Sequence, residues 1–382
     1  MNNTKDKKST APSPLNPTNA FVGHAYEFGI GNREICQFYQ KNWTRPIALS
    51  RMDFLAWQMN SAPEANQNNH SVVAIEGGEL LGVMGCTPMP FAVNSKALHG
   101  AALTTWVVSN KARGKGLGKL MLDYLKNSYD FLAGAGITKS ALSHYLRAEF
   151  SFLAHIPRFF FITDFESSQK FTKISETAQK ITQNRQENIE QKEFISEAVT
   201  AFQLGGLIKR NQPQLCFERN PAQLKWRYDN HPCFSYEAFT IKDKITPGDG
   251  AGTVIRQDTV ENIPFIHIIE LFGDPIDFQA TFSFLEDIAK KRRAAFIDIS
   301  VTSSEILDIL RLRNWSSVID DPFIQMPSLF YPIELRTPPT SSLVIWAKNR
   351  KNIISNFSKL YFSKGDLDLD RPTLDYYARN RT

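Results

Sequence analysis

Cysteine is scarce in this sequence. There are four in 382 residues (Cys36, Cys86, Cys216 and Cys233) and no C-x-x-C pair. That excludes a disulfide framework and a zinc ribbon, and it fits a reducing compartment, with the cytoplasm as the expected location. Long apolar runs are also missing. None approaches the ~20 residues that cross a bilayer, so no membrane span is expected. Charge of one sign is not in excess either: 44 Lys+Arg against 39 Asp+Glu leave +5, interspersed along the chain. A nucleic-acid partner would ask for a basic stripe on one element. No H-E-x-x-H, no Cys/His cluster and no G-x-S-x-G occur, so neither a metal nor serine-hydrolase chemistry is expected. Met1–Asn19 is rich in Lys, Ser, Thr, Asn and Pro without an apolar stretch; it reads as a disordered leader rather than a secretion signal. Asp366, Asp368 and Asp370 imitate the start of a calcium loop. Arg371 and Tyr377 stand where that loop needs Gly and Glu, so a solvated tail, or one meeting a basic surface, is expected.

What is present is a large apolar content, 42%, with 12% aromatics, 28 of them Phe. That is enough for a sizeable core, and at ~150 residues per domain the length suggests two domains. Periodicity predicts a strand at 25–30, helices at 32–42 and 54–59, and strands at 71–76, 80–86 and 103–108. A long helix over 117–133, a strand at 137–142 and one or two helical turns at 143–150 follow. The second half repeats that order: strands at 236–241, 253–256 and 265–270, a helix at 277–293, a strand at 296–301. Thr302 with Glu305 has the capping-box spacing for a helix at 306–314. The expected class is α/β (α+β, mixed sheet) in two copies: residues 20–165 and 194–335, joined by a linker at 166–193 and followed by a C-terminal segment at 336–382.

One motif is sharp. Arg113-Gly114-Lys115-Gly116-Leu117-Gly118 follows a predicted strand and opens the long helix. Glycines admit a phosphate close to the backbone, free N–H groups at a helix start point at it, and Arg113, Lys115 and Lys119 add positive potential. A Walker A loop would need Ser or Thr after Lys119, where Leu120 stands. A dinucleotide fingerprint needs G-x-G-x-x-G, and the spacing here is G-x-G-x-G.

The remaining pattern, R-x-x-G-x-G at Arg113, Gly116 and Gly118, resembles the pyrophosphate loop of the GNAT acyl-CoA N-acyltransferase superfamily. The resemblance implies a V-shaped split between the fourth and fifth strands, 103–108 and 137–142. The pantetheine arm of acyl-coenzyme A would lie there against Trp106, Val107 and Val108, and the pyrophosphate on Gly114, Lys115, Gly116, Leu117, Gly118 and Lys119. It implies Tyr145 as donor to the leaving thiolate and a Val107 or Val108 N–H for the oxyanion. The family pattern continues with Gly-Phe where this chain has Glu149-Phe150. Glu149 could share a helix face with Tyr145, although a surface ion pair is its plainer use.

The whole chain resembles a narrower group, the tandem-GNAT nucleotide-sugar N-acyltransferases of surface-polysaccharide pathways. Trp43-Thr44-Arg45-Pro46, Thr105–Val108, Ile156–Phe159, Trp226-Arg227-Tyr228 with His231-Pro232, and the tail Lys364-Gly365-Asp366 through Asp370-Arg371-Pro372 carry it. It implies transfer of an acetyl or 3-hydroxybutanoyl group to the amine of a dTDP-linked amino-dideoxy sugar. Only the first copy has the glycine loop; Gly273-Asp274-Pro275 stands before the second long helix, where Pro lacks an N–H and Asp repels phosphate. One active site per chain follows, with the second copy helping to form the acceptor pocket. Trp226, Arg227, Tyr228 and His231 are the candidate sugar-nucleotide residues, and interdomain packing is the alternative for them. His24, His144, His155 and His231 are candidate bases by residue type, and His144 adjoins Tyr145. A tandem-GNAT aminoacyl transferase of cell-wall branching and a non-catalytic acyl-CoA sensor are the competing readings. The expected partners are small molecules only, with the chain a monomer or small homo-oligomer.

Overall fold

The computed structural model describes residues 19–94, 96–207, 213, 215–321, 323–349, 353 and 359–379. The leader expected at 1–19 lies outside them except for its last residue. The first half runs β1 (Phe21–His24), α1 (Asn32–Asn42), α2 (Met52–Met59), β2 (Val72–Glu76), β3 (Glu79–Pro88), β4 (Gly100–Val108), α3 (Leu117–Ser128), β5 (Phe131–Ala135), α4 (Lys139–Arg147), β6 (Ser151–Leu153) and β7 (Arg158–Ile162). After α5 (Glu176–Glu187) come β8 (Phe194–Val199), β9 (Glu237–Asp243), β10 (Ala251–Val260), β11 (Ile263–Gly273), α6 (Phe278–Lys291), β12 (Phe296–Ser300), α7 (Ser304–Leu312), β13 (Ser316–Ser317) and β14 (Leu343–Ala347).

Two seven-stranded sheets result, in the orders β1-β2-β3-β4-β5-β14-β6 and β8-β9-β10-β11-β12-β7-β13. Each half lends the other a strand. β7 pairs antiparallel with β12 in the second sheet, from Phe296↔Ile162 to Ser300↔Arg158. β14 pairs antiparallel with β5 in the first sheet, from Leu343↔Ala135 to Ala347↔Phe131. All five residues of each lent strand are buried, as an interior strand covered on both faces requires. Arg158 secures β7 by bonding Asp298 of β12 through Nε at 2.7 Å, with both side chains buried. Residues 158–162, read above with the first copy, therefore hydrogen-bond into the second sheet, and 343–347 of the C-terminal segment into the first.

Four local expectations are corrected. Residues 25–30 are not a strand: β1 ends at His24, and Ala25–Phe28 forms a 3-10 turn closed by Gly29 at φ +66°. The helix opened by the glycine loop ends at Ser128, and Phe131–Ala135 is the fifth strand. Gly134 does not end a helix. It lies in β5, where a Cβ would sit 3.5 Å from Leu103 and 3.6 Å from Val344. Residues 137–142 are not a strand because the Thr138 hydroxyl accepts the Ala141 N–H and starts α4. Thr302 caps nothing; its hydroxyl donates to the Leu360 carbonyl at 2.6 Å, and Ser303 is the N-cap of α7. Leu117, Met121, Leu122 and Leu125 on α3 are buried against the first sheet at helical spacing.

Candidate active site: an open split beside a glycine-lined helix start

β4 and β5 run parallel and pair only from Gly100↔Phe131 to Leu103↔Gly134. Among the described residues no strand pairs with that edge of β4 beyond Leu103, so a split is present, with β5 as its second wall in place of 137–142. It opens at a bulge. Against β3, Thr104 pairs with Gly85 and Trp106 with Met84, which leaves Thr105 as the extra residue at φ +33°. The Tyr39 hydroxyl, from α1, donates to the Thr105 carbonyl at 3.1 Å and fixes the bulge.

The glycine loop begins a few residues past the end of β4. Gly114 (φ +81°) and Gly116 (φ +79°, the N-cap of α3) hold left-handed backbone, and a Cβ on either would meet nothing within 4 Å. Their requirement is conformational. Gly118 is a different case: its Cβ would lie 2.7 Å from the Trp106 indole, so its small size is what seats Trp106 under α3. The amides of Leu117 and Gly118, in the first helical turn, have no intrahelical acceptor. The Lys119 amide is already used by the Gly116 carbonyl at 3.0 Å. The Lys115 amide is likewise given to the Ala112 carbonyl at 3.4 Å, so the candidate cradle is formed by the amides of Gly114, Gly116, Leu117 and Gly118. Lys115 lies 3.6 Å from Glu76 and Lys119 pairs with Asp123, exposed pairs that an anion can outbid. Arg113 Nε donates to the Val108 carbonyl at 3.4 Å.

Tyr145 lies on α4, past the fifth strand. Its ring meets Trp106 edge-on at 5.4 Å, across the split, and Phe150 at 5.0 Å. Burial pushes its hydroxyl above the ordinary phenol range. His144 is exposed, 5.7 Å from the same Trp106 ring. Val107 and Val108 pair with Val83 and Gly82 on the β3 side. Glu149 takes the left-handed conformation (φ +65°) that favours glycine, and pairs with Lys126 at 3.4 Å.

The residues expected from the second half divide. Trp226 and Arg227 line a narrow crevice against the bulge, together with Gln58, Thr104, Leu367 and Asp368. The Trp226 ring also stacks on Trp57. Tyr228 instead donates to Glu270 Oε1 at 2.7 Å, deep in the second half. His231 Nδ1 accepts the N–H groups of Cys233 and Phe234 at 3.1 and 2.9 Å; burial, aided by the positive Arg227, pushes its pKa down to about 3. His24 is at the far edge strand, within 2.7 Å of the His70 carbonyl through Nδ1. His155 lies in the crossing that leads to β7, with a buried Nδ1. Neither joins the split.

Sequence reasoning missed Gln58, Asp368 and Arg371. Asp368 accepts from Gln58 Nε2 at 2.9 Å and from Arg371 Nη1 at 3.0 Å. The same Arg371 nitrogen donates to Thr105 Oγ1 at 3.0 Å and lies 3.3 Å from Thr104 Oγ1. The signals in the sequence were the i, i+3 spacing of Asp368 and Arg371 and their place in the tail stretch 364–372 that carries the resemblance. The acidic run does not form a solvated tail: Asp366 pairs with Arg219 and Asp370 with Arg256, all buried.

The second half has the same split. β11 and β12 pair in parallel only from Ile266↔Ile297 to Ile268↔Ile299, and Ile269 is the extra residue against β10. Here the chain fills it. Gly365 N–H donates to the Ile269 carbonyl at 3.1 Å, Ser363 bridges Val301, and Thr302 N–H donates to the Phe362 carbonyl at 3.0 Å. Among the described residues no group of His, Cys, Asp and Glu could hold a metal, and no helix is long and apolar enough to cross a membrane.

Residues 32–148 match the family model described as Acetyltransferase (GNAT) family. Similar solved structures span most of the chain. A probable N-acyltransferase of Enterococcus faecalis V583 is 11% identical, with 88% of this chain and 74% of that one covered at a TM-score of 0.53. A GCN5-related N-acetyltransferase of Anabaena variabilis is 10% identical (87% and 74% covered, TM-score 0.52), and one of Kribbella flavida 12% (88% and 73%, 0.50). No curated protein matches the sequence. The fold is GNAT-like, and the segment that holds the open split and the glycine loop is the one that matches the GNAT family model.

Proposed function

We propose that this chain moves an acyl group, acetyl or 3-hydroxybutanoyl, from acyl-coenzyme A to the amine of a nucleotide-linked amino-dideoxy sugar of the dTDP type. The observation that carries this reading is the contrast between the two splits: one is open beside a glycine-lined helix start, the other closed by the chain itself. The pyrophosphate of the co-substrate sits on the amides of Gly114, Gly116, Leu117 and Gly118, with the side chains of Arg113, Lys115 and Lys119 around it. Its pantetheine arm follows the unpaired edge at Trp106, Val107 and Val108. A backbone N–H of Val107 or Val108 stabilises the oxyanion. The amine forms the C–N bond, the C–S bond breaks, and the Tyr145 hydroxyl, kept protonated by burial, donates to the departing thiolate.

The sugar acceptor is supported by where the resembling stretches meet. Thr105, Trp226, Lys364–Asp366 and Arg371 come from distant parts of the chain and surround or adjoin the crevice beside the bulge. A sugar amine, titrating near ~8 like an α-amino group, is partly neutral at working pH, so it needs only modest help to lose a proton.

The test is thiol release with a panel of acyl-coenzyme A esters and nucleotide-linked amino sugars. Thiol is expected only with both substrates present. Tyr145→Phe should lower kcat while coenzyme A affinity holds, and Gly116→Asp should abolish that affinity. A panel that yields no thiol, or a Gly116→Asp protein that binds coenzyme A normally, defeats the reading.

A further inference from the structure

The closed split and the open one are joined by the same few residues of tail. Tyr361 to Gly365 lie in the second split, bonded on one side to β11 and on the other to Val301 and Thr302 just past β12. Tyr361 tightens this seat: its hydroxyl accepts from the Leu271 N–H at 3.1 Å and donates to Glu270 Oε2 at 3.1 Å. Gly365 packs so closely that a Cβ would collide with the Tyr228 hydroxyl and the Glu270 carboxylate. Three residues on, Asp368 enters the crevice of the first split, and Arg371 reaches its bulge.

We propose that the Asp368 carboxylate receives the ammonium group of the acceptor and takes its proton, and that the filled second split is the mount that holds Asp368 there. The assignment rests on the acyl-transfer reading above. It adds the acceptor-binding residue which that reading leaves open.

Three observations carry it. The first is reach. Asp368 Oδ2 and Thr105 Oγ1 both lie 3.0 Å from one Arg371 nitrogen, so they are at most about 6 Å apart. The Arg371 nitrogen itself lies between them, so an amine would reach Asp368 from beside that ion pair, on the crevice side, at the mouth of the split where a thioester carbonyl would lie. The second is orientation. Gln58 holds one carboxylate oxygen at 2.9 Å and Arg371 the other at 3.0 Å, so the group is aimed before any ligand arrives. The third is the wall of the crevice. Arg227 is only 8% exposed and spends one N–H on the Leu367 carbonyl, yet among the described residues its Nε has no hydrogen-bond partner. A buried donor without an acceptor marks a place built for one. The crevice thus offers one carboxylate for a cation and a donor for an oxygen-rich group, which is the chemistry of an amine carried on a polar or anionic scaffold.

The step balances without a further reactant. The ammonium gives one proton to Asp368, and the freed nitrogen attacks the carbonyl carbon. The C–S bond breaks, and the thiolate ends with the second proton that the nitrogen sheds, relayed through Tyr145. Asp368 then returns its proton to solvent. Arg371 and Gln58 are positioning residues here.

The experiment uses the full chain, acetyl-coenzyme A, and two amine probes, glucosamine and a dTDP-linked 3-amino sugar. Coenzyme A affinity is measured alongside. In Asp368→Asn, coenzyme A affinity should stay within twofold. The kcat/KM for the amine should fall at least 100-fold and rise about tenfold from pH 6 to 7, levelling towards pH 8, as expected when only pre-formed free amine of pKa ~8 reacts. Asp368→Glu should recover part of the loss. Gly365→Ala should raise the amine KM without moving coenzyme A affinity. An Asp368→Asn protein with wild-type kcat/KM and pH profile overturns the assignment alone. A wild type that does not bind coenzyme A, or binds it but acylates neither amine, overturns the acyl-transfer reading and this one with it.

Discussion

Trp57 and Trp226 exchange hydrogen bonds across the seam between the two halves. The Trp57 indole N–H donates to the Trp226 carbonyl at 3.1 Å, the Trp226 indole N–H donates to the Trp57 carbonyl at 3.0 Å, and the rings stack at 5.3 Å. Each aromatic body is buried while its one polar group is satisfied by the other residue's backbone. The pair ties α2, beside the open split, to the helical turn that carries Arg227.

Trp226→Phe keeps most of the stacking and deletes one bond, leaving the Trp57 carbonyl without that donor. A loss of about 1–3 kcal/mol is expected in urea unfolding. The kcat/KM for the acceptor should fall more than coenzyme A affinity, because the crevice lies on the same turn. Equal losses in both would show that the seam supports the whole molecule evenly.

Gly116 and Gly118 should respond differently to alanine. At Gly116 the cost is left-handed backbone, about 1–2 kcal/mol. At Gly118 it is a clash with Trp106. A smaller side chain at 106 should therefore rescue Gly118→Ala and leave Gly116→Ala unimproved. The double-mutant cycle in thermal unfolding measures this, with coupling of about 0.5–3 kcal/mol for the 106–118 pair and none for 106–116.

Glu149 occupies a left-handed position at the end of α4, and its pair with Lys126 is largely exposed. Glu149→Gly should relieve the backbone at little electrostatic loss and stabilise the protein by up to about 1 kcal/mol. Guanidinium unfolding of the two proteins decides it; a destabilised variant would mean that the ion pair matters more than the backbone.

His231 is held neutral in the folded protein, with a pKa near 3 against an ordinary 6.5. Above pH 6.5 neither state binds the proton and stability is unaffected. Below it the unfolded chain is protonated first, so stability falls as pH drops from 6.5 towards 3, by at most about 1.4 kcal/mol per pH unit from this residue. His231→Gln should flatten the stability profile between pH 6 and 4.5 by about that slope. An unchanged slope would place the acid sensitivity elsewhere, for example at the buried His267, which burial also depresses, to about 4.

Isothermal calorimetry should find one coenzyme A per chain. Two would require residues 360–365 to leave the second split, at the expense of the bonds to Ile269, Val301 and Thr302.

Much of this protein could be read from local pattern. Short apolar runs marked β2, β3 and β4, helical spacing marked the buried face of α3, and glycine placement marked the start of that helix. These depend on interactions within a few residues, which is why sequence carries them. Reading failed where apolar segments suit either element: Phe131–Ala135 looked like a continued helix and became a central strand because β4 and β14 enclose it. Only the tertiary structure decided the exchange of β7 and β14, the filling of the second split, and the delivery of Asp368 and Arg371 to the first. Those contacts join residues from about 60 to 310 positions apart. No periodicity records which distant partner a buried strand or charge will meet; that is settled by which arrangement buries the apolar faces and pairs the charges at once.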